Sequence, residues 1–262
     1  MTAFQWGASG HFDLSGACLE YATWGPSPAA AATLVLLHEG LGSLRHWRDF
    51  PQALVAATGL GVLAYSRVGY GGSSRVTQLR PVDYLNREAE VLPLVLRDAG
   101  IVRAVLLGHS DGGSIAACYL SCTSDPRVLG GVLIAPHFFV EPQGVVAIMQ
   151  AGDAFRTGGL RDGLARYHKD PDGAFWGWHD VWTSREFLNW TICDALPQIS
   201  KPMLILQGDA DPYGSLAQVE ALQTALGDKL ETRVLKGCGH APHKEDRATT
   251  LRAITSFCKK IV

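Results

Sequence analysis

Charge of either sign is nearly absent from the balance of this chain of 262 residues: 23 lysines and arginines meet 25 aspartates and glutamates, for a net charge of -2. No basic run stands out as a patch. Without that footprint, neither nucleic acid nor an anionic membrane is expected as a partner. Long apolar runs are missing too. The most apolar stretch, AAAATLVLLH, is shorter than the roughly 18 residues a membrane span requires. The opening stretch, MTAFQWGASGHFDLSG, has no basic start and no apolar core. It does not read as a signal peptide, and the cytoplasm is the expected location. The six cysteines, at 18, 118, 122, 193, 238 and 258, form no CxxC pair. They read as small apolar side chains in a reducing compartment, and no metal site is expected. Internal repeats and low-complexity segments are also lacking.

What is present is an ordinary globular composition, 47% hydrophobic and 18% charged, with short apolar runs alternating with helical ones. Buried strands are expected at Thr33 to His38, Gly61 to Ser66, Ala104 to His109, Gly131 to Pro136, Met203 to Gly208 and Glu231 to Lys236. The first five are apolar at several consecutive positions, which suits strands covered on both faces. Helices are expected from Leu44 to about Ala57, Val82 to Asp98 with Pro93 kinking it, Ser110 to about Ser121, Ser215 to Leu226 and Arg247 to Phe257. Alternation of this kind implies βαβ units and a largely parallel sheet. At the start, AFQWG and CLEYATWG read as an antiparallel pair at the sheet edge. Between His137 and Ser200 the pattern breaks into an aromatic-rich stretch without a buried strand. We read residues 1–136 and 201–262 as the α/β core and 137–200 as a helical lid over the end of the sheet where ligands bind.

Gly108-His109-Ser110-Asp111-Gly112 matches G-x-S-x-G between a buried strand and a helix, the context of a nucleophile elbow. A turn that tight needs tiny neighbours two positions on either side of the serine. The serine hydroxyl needs a base, and the base needs an acidic partner. Among nine histidines, His240 in KGCGHAPHKED lies just past the last strand. Asp209 and Asp211 in LQGDADPYG lie past the strand before it. The order Ser, Asp, His is that expected of an α/β-hydrolase.

With these segments, the chain resembles α/β-hydrolase-fold enzymes over nearly its full length. LLHEGLGSLRHW resembles the family's His-Gly loop and YSRVGYGGSS the loop after its next strand. LLGHSDGG, PMLILQGDADPYG and GCGHAPHKE resemble the three triad segments. The resemblance implies an eight-stranded, mostly parallel sheet flanked by helices, with Ser110, Asp211 and His240 as catalytic residues. It leaves Asp209 as a solvated or loop-capping residue and His243 at the entrance or on the surface. It makes His109 and His38 structural, and Arg67 an anchor. An oxyanion hole would use the backbone N–H of Asp111 and that of Gly40 or Leu41. Glu39 departs from the family, which has glycine there, and its side chain is expected to turn away.

His137, at a strand end, is a pocket candidate, as are Trp178 and Trp182. The implied function is cofactor-free serine hydrolysis of an ester, thioester or related acyl bond in a small, mostly apolar or aromatic molecule. An acid group on that molecule could meet Arg185 or His137. Alternatives are a carbon–carbon hydrolase of the meta-cleavage-product type, whose tryptophan after the catalytic histidine is missing here, and a hydrolase-like ligand receptor with little turnover. Haloalkane dehalogenases need aspartate where Ser110 stands. A dinucleotide-binding oxidoreductase would need a third glycine after Gly40-x-Gly42 and an acid at the end of the strand finishing at Ser66. Oligomeric state is not legible, and a homodimer is left open.

Overall fold

The computed structural model describes residues 4–14, 16–76 and 78–262. Eight strands form one sheet: β1 (Ser9–Leu14), β2 (Ala17–Trp24), β3 (Thr33–Leu37), β4 (Gly61–Tyr65), β5 (Ala104–His109), β6 (Val128–Ile134), β7 (Met203–Gly208) and β8 (Leu230–Leu235). Their order across the sheet is β1-β2-β4-β3-β5-β6-β7-β8. β1 pairs antiparallel with β2, and β2 with β4; every other pairing is parallel.

Burial explains the sequence pattern. In β3, β4, β5 and β7 every residue is buried, so apolar side chains run consecutively and alternate between two cores. Val35, Leu37, Leu63 and Leu106 face one core, while Leu34, Leu36, Val62, Leu107 and Leu206 face the other. The first core is closed by α2 (Tyr84–Asp98), α3 (Asp111–Cys122) and α7 (Leu216–Leu226), the second by α1 (Phe50–Thr58) and α9 (Arg247–Ile261). β8 is an edge strand with four of its six residues partly or fully exposed, and it reads as polar accordingly.

Three helices lie between β6 and β7: α4 (Pro142–Arg156), α5 (Gly159–Ala165) and α6 (Pro171–Thr183). Their apolar residues do not form a separate core. Ile148, Phe155, Leu164 and Phe175 belong to the same buried cluster as Leu106 and Leu133 of the sheet.

Several expectations are corrected. Of AFQWG, Ala3 lies outside the described residues and Phe4–Gly7 is not strand; the edge strand is Ser9–Leu14. The helix expected from Leu44 is broken into a 3-10 turn, Leu44–Trp47, and α1. Arg48 sits at φ 52 between them, and Pro51 lies in the first turn of α1; a ring without an N–H suits a first turn but cannot continue an earlier helix. The helix expected from Val82 begins at Tyr84, and β6 begins at Val128, before Gly131. Pro93 lies inside α2, which runs through to Asp98.

The merged core predicts one cooperative unfolding transition. Phe175 is fully buried and stacks on Phe155 at 4.0 Å. Phe175→Ala is expected to cost about 3–5 kcal/mol and lower the Tm of that single transition by roughly 10 °C in calorimetry. Two separate transitions, with only one affected, would contradict a shared core.

Candidate active site

The strand order sets the site. The chain passes from β3 outward to β4 and returns to β5 on the other side of β3, so the order reverses at β3/β5. In such sheets the crevice beyond the strand ends opens at this switch point. Leu37 pairs with Gly108, His109 with Ile134, Ile134 with Leu206 and Gly208 with Leu235. The loops after five parallel strands therefore stand side by side.

Ser110 follows β5 at φ 53 and ψ -119. Non-glycine residues seldom adopt positive φ, and such strain costs roughly 1–3 kcal/mol. The turn is held by Ser110 N–H donating to Ile134 O at 2.8 Å and Ser114 N–H donating to Ser110 O at 3.0 Å. It also needs close backbone approach. A Cβ on Gly108 would collide with the Gly112 carbonyl, and one on Gly112 with the Leu37 carbonyl. Both glycines are dictated by that contact. The hydroxyl makes no hydrogen bond among the described residues and opens on a cavity of about 160 Å³.

His240, on the loop after β8, lines the same cavity. Its Nδ1 donates to Asp211 Oδ2 at 2.8 Å, which leaves Nε2 as a bare acceptor. Asp211 is pinned on both oxygens: Oδ2 also accepts from Gln207 Nε2 at 2.8 Å, and Oδ1 from Tyr213 N–H at 2.8 Å. Burial alone would raise its carboxyl. The hydrogen bond and charge of His240 outweigh that and hold it below the ordinary aspartate value. Asp209 is exposed and caps the Gly237 N–H instead.

The loop after β3 turns sharply, with Gly42 N–H donating to Glu39 O at 3.0 Å. That carbonyl also accepts from His38 Nδ1 at 2.7 Å and from Arg67 at 2.9 Å. His38 Nε2 accepts from the Arg67 N–H. Buried His38 and Arg67 thus fasten the turn. The N–H groups of Gly40 and Leu41, inside it, have no hydrogen-bond partner among the described residues, and both residues line the cavity. Asp111 opens α3, where helix N–H groups lack intrahelical acceptors. A Cβ on Gly40 would collide with the Trp178 indole, so α6 lies directly on this turn.

The Asp111 side chain points into a buried polar network. Tyr84 donates to Asp111 Oδ2 at 2.6 Å, Trp182 Nε1 donates to Tyr84 at 2.7 Å, and Arg67 lies 3.7 Å from the same carboxylate. A chain of hydrogen bonds thus runs from α6 to the residue after Ser110.

Trp178, Trp182 and His137 all line the cavity. Burial, and then the neighbouring His240, push His137 down to about 3, so it presents a neutral ring. Ser114 holds its backbone at both N–H and carbonyl. Two expectations fail. Arg185 is exposed and does not line the cavity. His243 is neither at the entrance nor on the surface. It is 3% exposed, packed between the Trp47 and Phe50 rings on one side and His109 on the other.

Glu141, Val145, Ile148 and Tyr213 also line the cavity and were not anticipated. The spacing of Gly144, Val145 and Ile148 on one face of α4 was the only available signal. Glu141 is fully engaged by Ser215 and Gln218. Among the described residues no cluster of His, Cys, Asp or Glu could hold a metal ion, and no helix is long and apolar enough to cross a membrane.

The fold has a known counterpart. Residues 34–253 match the alpha/beta hydrolase family, and the chain belongs to it. It is 25% identical over 227 residues to a bifunctional esterase/perhydrolase of Acinetobacter calcoaceticus, across 75% of this chain and 79% of that one. Against epoxide hydrolase A of Mycobacterium tuberculosis it is 26% identical over 298 residues, across 86% and 90%. A solved esterase from a Rhodococcus species shares the fold with a TM-score of 0.72 at 21% identity, covering 96% of this chain and 98% of that chain.

Acid should loosen this edge. His38, His137 and His243 are buried and held below the ordinary histidine value, burial being the largest cause in each. The unfolded chain therefore takes up protons first. Stability is full above the unfolded value near 6.5 and is lost as pH falls below it, by about 1.4 kcal/mol per unit for each such ring. Thermal melts should show Tm dropping between pH 7.5 and 5, and His243→Phe should reduce the drop. A flat Tm over that range would contradict the neutral buried rings.

Proposed function

We propose that the protein is a serine hydrolase cleaving an ester, thioester or related acyl bond of a small, uncharged, largely apolar substrate through an acyl-enzyme. One observation carries this reading: Ser110, the bare Nε2 face of His240 and the unpartnered N–H groups of Gly40 and Leu41 meet at a single cavity. Ser110 Oγ attacks the carbonyl carbon while His240 Nε2 takes its proton. Asp211 steadies the imidazolium. The N–H of Asp111 and that of Gly40 or Leu41 receive the oxyanion, and the end of α3 favours its charge. Collapse expels the leaving group, which takes the proton from His240. Water then attacks the acyl-serine with the same base and frees Ser110.

Size and charge narrow the substrate. The cavity of about 160 Å³ is below the roughly 300–1,000 Å³ usual for drug-sized ligands. Leu41, Val145, Ile148, Trp178 and Trp182 make most of its wall apolar, and no lysine or arginine lines it among the described residues. A ring-cleavage product bearing a carboxylate would find no cation there, which counts against carbon–carbon hydrolysis. Residues 137–200 are read as the lid, because α4 and α6 supply the wall opposite the strand ends. The relatives carry names of ester, epoxide and peroxide chemistry. A serine nucleophile beside free N–H donors favours acyl transfer.

The test is turnover of p-nitrophenyl acetate and butyrate. Ser110→Ala should lose at least about 10³-fold in kcat/KM at unchanged Tm. A p-nitrophenyl ester with a terminal carboxylate should be poorer by about tenfold or more, for want of a partner for its charge. Equal rates for Ser110→Ala and the native protein would refute the assignment.

A further inference from the structure

Glu39 stands where the family's loop has glycine, and its side chain neither points to solvent nor sits idle. Its carboxylate reaches across to the elements carrying the other half of the machinery. Glu39 Oε2 lies 3.5 Å from His109 Nδ1, and Oε1 lies 3.7 Å from Lys244 Nζ. His109 in turn contacts the backbone of the proposed base, with its Nε2 2.7 Å from the His240 carbonyl. We propose that Glu39 and His109 are a positioning pair that ties the oxyanion turn to the His240 loop, so that acceptor and base keep one spacing. The inference rests on the acyl-transfer reading above.

The hydrogen-bond chemistry is restrictive. A carbonyl oxygen only accepts, so His109 Nε2 must carry a hydrogen. That leaves Nδ1, buried and without a hydrogen-bond partner among the described residues, facing a carboxylate oxygen. A bare lone pair against this half-buried carboxylate is repulsive. One proton on Nδ1 turns the contact into a charge-assisted pair. The link between the loops therefore tightens when that proton is bound.

Several groups compete for it. On the turn side, His46 and His38 lie near Glu39, and Arg67 holds the Glu39 carbonyl. On the base side are His240 with Asp211, His243 at 4.6 Å ring to ring from His109, and Lys244. Burial would raise the Glu39 carboxyl, but His109, then Lys244 and His46, outweigh it and hold the group well below the usual range. The carboxylate stays charged. Burial, only partly offset by the Glu39 hydrogen bond and charge, holds His109 below the ordinary histidine value, so its second proton arrives only as pH falls.

The test compares Glu39→Gln with Glu39→Ala on p-nitrophenyl butyrate, with Tm measured for each. Glu39→Ala removes the link, and its kcat should fall about tenfold with KM changed less than about twofold. A glutamine amide can donate to the neutral Nδ1 lone pair without any added proton. Glu39→Gln should therefore fall by no more than about threefold and lose one pH-dependent step that native kcat shows. Native-like kcat in Glu39→Ala at equal Tm would overturn the proposal. So would a Glu39→Gln profile with the native pH dependence, or losses in both variants that merely follow Tm. Labelling of the native protein by a fluorophosphonate separates the two readings. A native protein that neither labels nor turns over sinks acyl transfer itself, whereas an active native protein with an indifferent Glu39→Ala sinks only the pair.

Discussion

A serine backbone at φ 53 and ψ -119 costs energy that no local preference repays. It exists because β5 ends beside β3 and releases its chain at once into α3. The Ser110 N–H is spent on the Ile134 carbonyl, and glycines at 108 and 112 let backbone pass backbone. The consequence is directional. The side chain leaves the sheet edge instead of lying along it, and the first N–H groups of α3 are brought beneath the same opening. The loops after β3, β7 and β8 gain their meaning from that point, because each reaches the cavity that Ser110 opens on.

Around that strained point several polar groups are firmly committed. Asp211 is occupied on both oxygens, Glu141 is occupied by Ser215 and Gln218, and the Glu39 carbonyl takes three donors. Buried groups so committed keep the geometry rigid and leave few free partners for a substrate. Toward the cavity, the Ser110 hydroxyl, the outer nitrogen of His240 and the N–H groups of the turn remain free. The wall beyond is largely apolar and carries no lysine or arginine among the described residues, so free donors are concentrated where a carbonyl would sit. The hydrogen bonds from Trp182 through Tyr84 to Asp111 add a physical tie between α6 and the elbow.

The sheet was legible because its central strands are buried on both faces, and consecutive apolar runs such as TLVLL and MLILQ leave little other reading. The elbow was legible because glycine at 108 and 112 answers a steric need that sequence states directly. The surroundings of single side chains were not. His243 follows His240 closely in the chain, yet its burial depends on Trp47 and Phe50, which arrive from the far side of the second core. The break at Arg48 depends on where the turn after β3 must end. Glu39 was marked as a departure from the family, but its contact with His109 needed two loops in register, which no local pattern encodes. The aromatic richness of residues 137–200 was visible, whereas the merging of those rings with the sheet core was not.

The central claim is that Ser110 becomes acylated, and the most direct measurement is the intact mass of the protein quenched in acid milliseconds after mixing with excess p-nitrophenyl butyrate. The account predicts a population heavier by one butyryl group, located by peptide mapping on Ser110 and decaying as substrate is consumed. Turnover with no covalent adduct at any time point, or with the adduct on a different residue, would contradict it.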